Sequence, residues 1–147
     1  MLLTIQTGQD NPILRQKTNK VKRITPEIKE LILNMIETMD AKQGIGLAAP
    51  QVGQSLQIIT IRPDPQQPAI VLINPEIIKK SFKKDIVEEG CLSLPSIQVE
   101  VKRPVSITVK AININNEQIK IKTDGLLSRV IQHEIDHLNG ILIVDKK

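Results

Sequence analysis

Aromatic side chains are almost missing from this chain: its 147 residues include one phenylalanine, Phe82, and neither tryptophan nor tyrosine. A core must then be packed by isoleucine, leucine and valine, and the sequence offers no aromatic stacking platform for single-stranded nucleic acid. Cysteine is equally scarce. Cys91 is the only one, which excludes an internal disulfide and fits a reducing compartment. No apolar run approaches the roughly 18 residues of a membrane span, and no charged leader precedes an apolar stretch at Met1, so the expected location is cytoplasmic. The net charge is a mild +4, and Lys79-Lys80-Ser81-Phe82-Lys83-Lys84 is the only dense basic cluster, a kind of run that is usually a solvated face. There is no internal repeat, low-complexity tract or interdomain linker. The proline-rich stretch Arg62–Pro68 joins two apolar runs of strand length and reads as a connection within one domain. A single domain of this length buries roughly 68–70% of its unfolded surface.

Only two histidines occur, and both lie in Gln132-His133-Glu134-Ile135-Asp136-His137. Imidazoles four residues apart on a helix project from one face and can hold one metal ion, and Glu134 between them is placed to serve a water on that ion. Leu126, Leu127, Val130, Ile131 and Leu138 recur at three- and four-residue steps, with Asp124 as N-cap and Asn139-Gly140 as the stop, which predicts a real helix. Two histidines leave the ion short of ligands. The only acidic residue after His137 is Asp145, beyond an apolar run, Ile141–Val144, that reads as a strand leaving the site. The third ligand is therefore sought upstream, where Cys91 lies in Glu88-Glu89-Gly90-Cys91-Leu92-Ser93. A lone cysteine is otherwise most often a small buried hydrophobe, but a Cys-His-His set would complete an open catalytic site.

A third segment, Gly44-Ile45-Gly46-Leu47-Ala48-Ala49-Pro50-Gln51-Val52-Gly53, is too rich in small residues for ordinary core and reads by itself as a tight loop after a helix. Neither phosphate-loop nor dinucleotide fingerprint fits it. Taken together, Gly44-x-Gly46-Leu47-Ala48-Ala49-x-Gln51, Glu89-Gly90-Cys91-x-Ser93 and His133-Glu134-x-Asp136-His137 resemble the three signature motifs of peptide deformylase, in that family's order and approximate spacing.

The resemblance implies a metal-dependent hydrolase that removes the N-formyl group from the initiator methionine of nascent proteins, releasing formate. Cys91, His133 and His137 would be the metal ligands. Metal-bound hydroxide would attack, with Glu134 as general acid and base, while the Gln51 amide and the Leu92 backbone N–H stabilise the oxyanion. Gly46 would offer backbone hydrogen bonds to an extended substrate, and Ile45, Val87, Leu126 and Val130 would form the methionine pocket. Glu89 and Arg103 are expected to form an ion pair that holds the cysteine segment. Iron(II) is implied as the native ion, with zinc, nickel or cobalt possible on the same ligands. The competing readings are an ordinary H-E-x-x-H endopeptidase, indifferent to Cys91, and a binding module whose structural metal a carboxylate would close.

Two departures from the family pattern shape further expectations. The sequence stops at Lys147 without the C-terminal helix that bacterial members commonly carry, so residues 1–147 are expected to be a single catalytic domain that works as a monomer and meets the ribosome only weakly. Gln98 occupies the place of an arginine that helps grip the peptide in well-studied bacterial members, so contacts beyond the first substrate residue should be looser.

The fold class expected is α+β: small antiparallel or mixed strands around a central metal-binding helix. A first helix begins with Thr25 as cap and Pro26 at the first position, carrying the apolar stripe Ile28, Leu31, Ile32, Met35, Ile36 and Met39. Strands are expected at residues 56–61, 69–73, 105–114 and 118–122, the last two joined by a turn at Asn115-Asn116.

Overall fold

The computed structural model describes residues 1–147. Thr25 accepts a hydrogen bond from the Ile28 N–H and Pro26 opens the helix with a preset φ, so helix α2 runs Pro26–Ala41. A single-turn helix, α1 (Pro12–Arg15), precedes it, and α3 spans Gly125–Leu138. Five strands, β1 (Gly46–Ala48), β2 (Ile58–Ile61), β3 (Ile70–Lys80), β6 (Ser106–Ile112) and β7 (Gln118–Asp124), form an antiparallel sheet in the order β1-β2-β3-β6-β7. Two more, β4 (Lys84–Cys91) and β5 (Leu94–Pro104), make a separate antiparallel hairpin. The α+β class is observed, its only parallel contact being an isolated bridge between Asn19 and Leu56.

Alternation along the strands decides which helix covers which face. Ile59, Ile61, Leu72, Ile107, Val109 and Ala111 point toward α3, where they bury Val130, Ile131, Ile135 and Leu138. On the opposite face Ile58 and Ile73 meet Ile32, Met35 and Met39 of α2. Strand β2 is thus buried at every residue, sandwiched between the helices, which is why three of its four residues are isoleucine and do not alternate with exposed polar ones. A third cluster joins Leu14, Leu94, Val99, Val101, Leu142 and Ile143, fastening the hairpin to the C-terminal segment. No helix is long and apolar enough to cross a membrane.

Several sequence expectations need correction. Ile141–Val144 is not a strand: Ile143–Asp145 forms a single 3-10 turn, with Leu142 and Ile143 buried in the third cluster and Asp145 paired with Arg15. Its apolar character serves that corner and no sheet edge. The Gly44–Gly53 segment is more than a loop, since Gly46–Ala48 joins the sheet and Ala49–Val52 makes a 3-10 turn. Asp124 precedes α3 as expected but caps nothing with its side chain, because it is the last residue of β7.

Gly140 ends α3 with φ +73°, and a Cβ there would collide with the Arg15 carbonyl. Gly140→Ala combines a left-handed strain of about 1 kcal/mol with a backbone clash. A loss of roughly 2 kcal/mol or more is expected, read as a melting temperature lower by about 4–8 °C. An unchanged melting curve would mean that the Arg15 backbone can yield.

Candidate metal centre

The site is assembled by α3, the β4–β5 hairpin and the segment from Gly44 to Gln51. On α3 the four-residue step places His133 and His137 on one face, their ring centroids 5.1 Å apart. Cys91 arrives at the end of β4, where the pairing register slips between Gly90 and Cys91. Such an irregularity re-aims a side chain, here toward α3. The Cys91 Sγ lies 3.3 Å from the His137 Nε2, and one ligand atom each from Cys91, His133 and His137 lie within 4.8 Å of one another. These are one cysteine sulfur and two imidazoles, the donor chemistry of a divalent site that keeps a position open. Residues 42 or more apart in sequence therefore meet where the sequence reading expected them to meet.

The carboxylate of Glu89 sits behind His133. Its Oε1 is 2.9 Å from His133 Nδ1, leaving Nε2 for an ion. Burial pushes the Glu89 carboxyl upward, but hydrogen bonds from His133 and Arg103 outweigh it and hold the pKa at about 2. The expected Glu89–Arg103 pair is present and buried: Arg103 Nε donates to Oε2 at 2.7 Å and Nη2 to Oε1 at 3.0 Å. Arg103 also reaches Asp136 of α3 at 2.8 Å, which gives that residue a place in the network.

Burial also drives the remaining ionisations apart. Glu134 is pushed up to about 7 by desolvation, and its Oε1 is buried with no hydrogen-bond partner. His133 is disfavoured as a cation by burial, yet the Glu134 carboxylate, Cys91 and Glu89 together raise it to about 10. That anionic field favours a proton on His133 and would favour a divalent cation in its place. Burial holds His137 well below its ordinary value, helped by repulsion from His133 and Arg103, so it is the neutral imidazole a metal needs. The orphaned Glu134 oxygen and the three converging donors fit a bound ion with a water beside Glu134.

Gln51, in the 3-10 turn, is oriented from both ends. Its Oε1 accepts from the Ala48 N–H at 2.9 Å, which turns the NH2 group toward Ser93 Oγ at 3.1 Å and Cys91 Sγ at 3.6 Å. Gly46 lies against the acid: a Cβ would come within 2.6 Å of Glu134 Oε2 and 2.9 Å of Val130 Cγ1. A cavity of about 470 Å³ opens in front of these groups, and Ile45, Val87, Leu92, Leu126 and Val130 all line it. Val130 alone of the four pocket candidates is buried; Ile45, Val87 and Leu126 are exposed at the rim, so they are wall and not core.

One residue of the site escaped the sequence reading. Arg129 reaches from α3 across the cavity to the hairpin, donating to Asp85 Oδ1 at 2.7 Å, the Asp85 carbonyl at 3.1 Å, the Val101 carbonyl at 2.9 Å and Glu89 Oε2 at 2.5 Å. A lone charge inside the apolar run Leu126–Ile131, one helical turn before His133, was the available signal.

Comparison with known proteins gives a consistent picture. Residues 3–147 match the family described as polypeptide deformylase. The chain is 52% identical over 137 residues to the peptide deformylase of Carboxydothermus hydrogenoformans, covering 92% of this chain and 88% of that one. It is 50% identical over 136 residues to that of Halothermothrix orenii, with coverage of 92% and 88%. Among solved structures, the peptide deformylase of Thermotoga maritima superposes with a TM-score of 0.94 at 40% identity, covering 99% of this chain and 97% of that one. The Met-Ala-Ser-bound enzyme of Acinetobacter baumannii does so with a TM-score of 0.94 at 33% identity, covering 100% and 99%.

Proposed function

The chain belongs to the polypeptide deformylase family, and from that premise we propose that it hydrolyses the N-formyl group of formyl-methionyl peptides, releasing formate and a free amine. The observation that carries this reading is the convergence of Cys91, His133 and His137 beside Glu134, in front of an apolar cavity. Cys91, His133 and His137 would hold one divalent ion, iron(II) in our reading with zinc, nickel or cobalt able to replace it, and that ion would supply Lewis acidity and an acidified water. The Glu89 carboxylate fixes the ring orientation of His133. Glu134, poised near neutrality by burial, takes the proton of the attacking water at its carboxylate and returns it to the departing nitrogen. The tetrahedral oxyanion is met by Gln51 Nε2, already turned toward Cys91, and by the Leu92 backbone N–H. Ile45, Val87, Leu126 and Val130 accept the methionine side chain, and Gly46 lets extended substrate backbone approach. The whole chain acts as one catalytic domain.

Formate release from formyl-Met peptides, alongside cleavage of unformylated ones, tests the proposal on an anaerobic, metal-loaded preparation. Formate without internal cleavage is expected. Cleavage of internal bonds with no formate would establish the endopeptidase reading instead.

Gly46→Ala would drive a methyl group into the Glu134 carboxylate. The metal content should hold while kcat/KM falls about 100-fold, the scale of a misplaced reacting group. A fully active variant would show that Glu134 needs no fixed position.

Arg129 is a positioning residue in this scheme. It ties the α3 wall of the cavity to the β4 wall and shares the Glu89 carboxylate with His133. Arg129→Met should cost about 2 kcal/mol of stability, less than the roughly 3–5 of an unpaired buried charge because Arg103 still faces Glu89. It should also raise KM for formyl-Met peptides more than it lowers kcat, with Arg129→Lys recovering part of both. If stability falls and KM stays put, the residue holds the fold but not the pocket.

A further inference from the structure

Helix α2 packs over β1, β2 and Ile73 of β3 and leaves the far part of its sheet face uncovered. The residues that continue that face across β3, β6 and β7 pair as Lys79, Thr108 and Lys122 in one row and Glu76, Lys110 and Lys120 in the next. Ile78, Lys79, Thr108, Lys120 and Lys122 line a hollow of about 350 Å³ there. Its polar walls are three ammonium groups and a hydroxyl, with no carboxylate among them. Lys79 also opens the Lys79–Lys84 cluster, whose turn carries Phe82, the chain's only aromatic residue, at 103% exposure. Leaving a phenylalanine in water forgoes roughly 1.5–3 kcal/mol of burial.

The turn that displays Phe82 is built, not loose. The Ser81 N–H donates to the Ser106 carbonyl at 3.0 Å, and the Ser106 N–H donates back to Ser81 Oγ at 3.2 Å. Ser81 Oγ donates to the Lys83 carbonyl at 2.8 Å, which also accepts from the Val105 N–H at 3.0 Å. Of the neighbouring carboxylates, Asp85 is engaged by Arg129 at 2.7 Å and Glu76 by Lys110 at 3.8 Å, which leaves Asp124, beside Ser106, as the one unpaired acid against the lysines of the turn and the hollow, so the patch keeps a net positive charge.

We propose that this surface docks single-stranded RNA, with Phe82 stacking on one base and the lysines of the turn and the hollow meeting successive phosphates. Phe82 and Lys79 are three residues apart, at most about 11 Å of chain, so one strand spans both. A rigid aromatic face beside ammonium groups is the combination that grips single strands without reading sequence. A lipid bilayer is less well matched: Ile78 and Ile86 also expose apolar surface near Phe82, but Ile78 stands among the three lysines and the threonine of the hollow, so the apolar groups form no continuous face. The scarcity of aromatics counts against an extended stacking platform, so the proposal rests on the single one, which stands fully exposed beside the lysines. The proposal is independent of the deformylase reading.

The test is fluorescence anisotropy of a labelled oligouridylate between about 50 and 200 mM salt. The parent should bind with affinity falling linearly in logarithmic salt. Phe82→Ala should weaken binding about 5- to 150-fold at an unchanged salt slope, since stacking is worth about 1–3 kcal/mol per base. The double variant Lys120→Gln, Lys122→Gln should instead lower the slope by about 1.4, at roughly 0.7 per phosphate contact. All variants should keep the parent's melting temperature and its rate on a short formyl-Met peptide, because Lys120 and Lys122 lie on the sheet face opposite α3 and Phe82 is fully exposed in the turn between β3 and β4. No binding by the parent at low salt, or equal binding by Phe82→Ala, would overturn the proposal. So would binding to phosphatidylserine vesicles, abolished in Phe82→Ala, without RNA binding.

Discussion

Cys91→Ala is expected to lose its metal ion and, with it, all formate release. Removing the thiolate leaves two imidazoles, and His133 then faces Glu89 and Glu134 in a field that holds a proton on its ring. The ion would have to displace that proton with one ligand fewer. The fall in affinity should exceed the roughly 10- to 100-fold typical of losing a partner behind a ligand. Two readouts follow it independently of turnover: ion stoichiometry after dialysis, and the melting-temperature rise on adding ion, which for the parent corresponds to about 2.7 kcal/mol at 100 times the dissociation constant. A variant that retained one ion per chain and full activity would remove Cys91 from the site and restore the plain H-E-x-x-H scheme.

The second large effect is expected at Glu134. Glutamine matches glutamate in shape and cannot accept the proton, so Glu134→Gln should keep the ion and the parent's melting temperature while turnover drops about 10²–10⁴-fold. The fold should lose nothing, because burial already penalises the ionised carboxylate and pushes it toward about 7. Parent-like turnover in this variant would assign proton transfer to another group.

Much of this site was readable in the residues because short-range rules carry it. The spacing of His133 and His137 is a helix property, and the Thr25-Pro26 start and the stripe from Ile28 to Met39 are local as well. The hairpin of β4 and β5 was not legible. Glu88, Glu100 and Lys102 are its ordinary solvent-facing positions, but on the inward side Glu89 and Arg103 stand where apolar residues would be expected. Buried charge erases the hydrophobic pattern from which a strand is recognised. Arg129 was missed for the same reason: its partners Asp85, Glu89 and Val101 come from two other strands, and no periodicity announces a bond across a cavity. The false strand at Ile141–Val144 errs the other way, because an apolar run shows burial but not the partner against which it is buried.

The claim on which everything else rests is that one thiolate and two imidazoles hold a single ion beside Glu134. X-ray absorption at the metal edge of the anaerobically loaded protein measures that ligand set directly. One sulfur and two imidazole nitrogens per ion are expected, the sulfur lost in Cys91→Ala. A spectrum with only nitrogen and oxygen neighbours in the active parent would contradict the account.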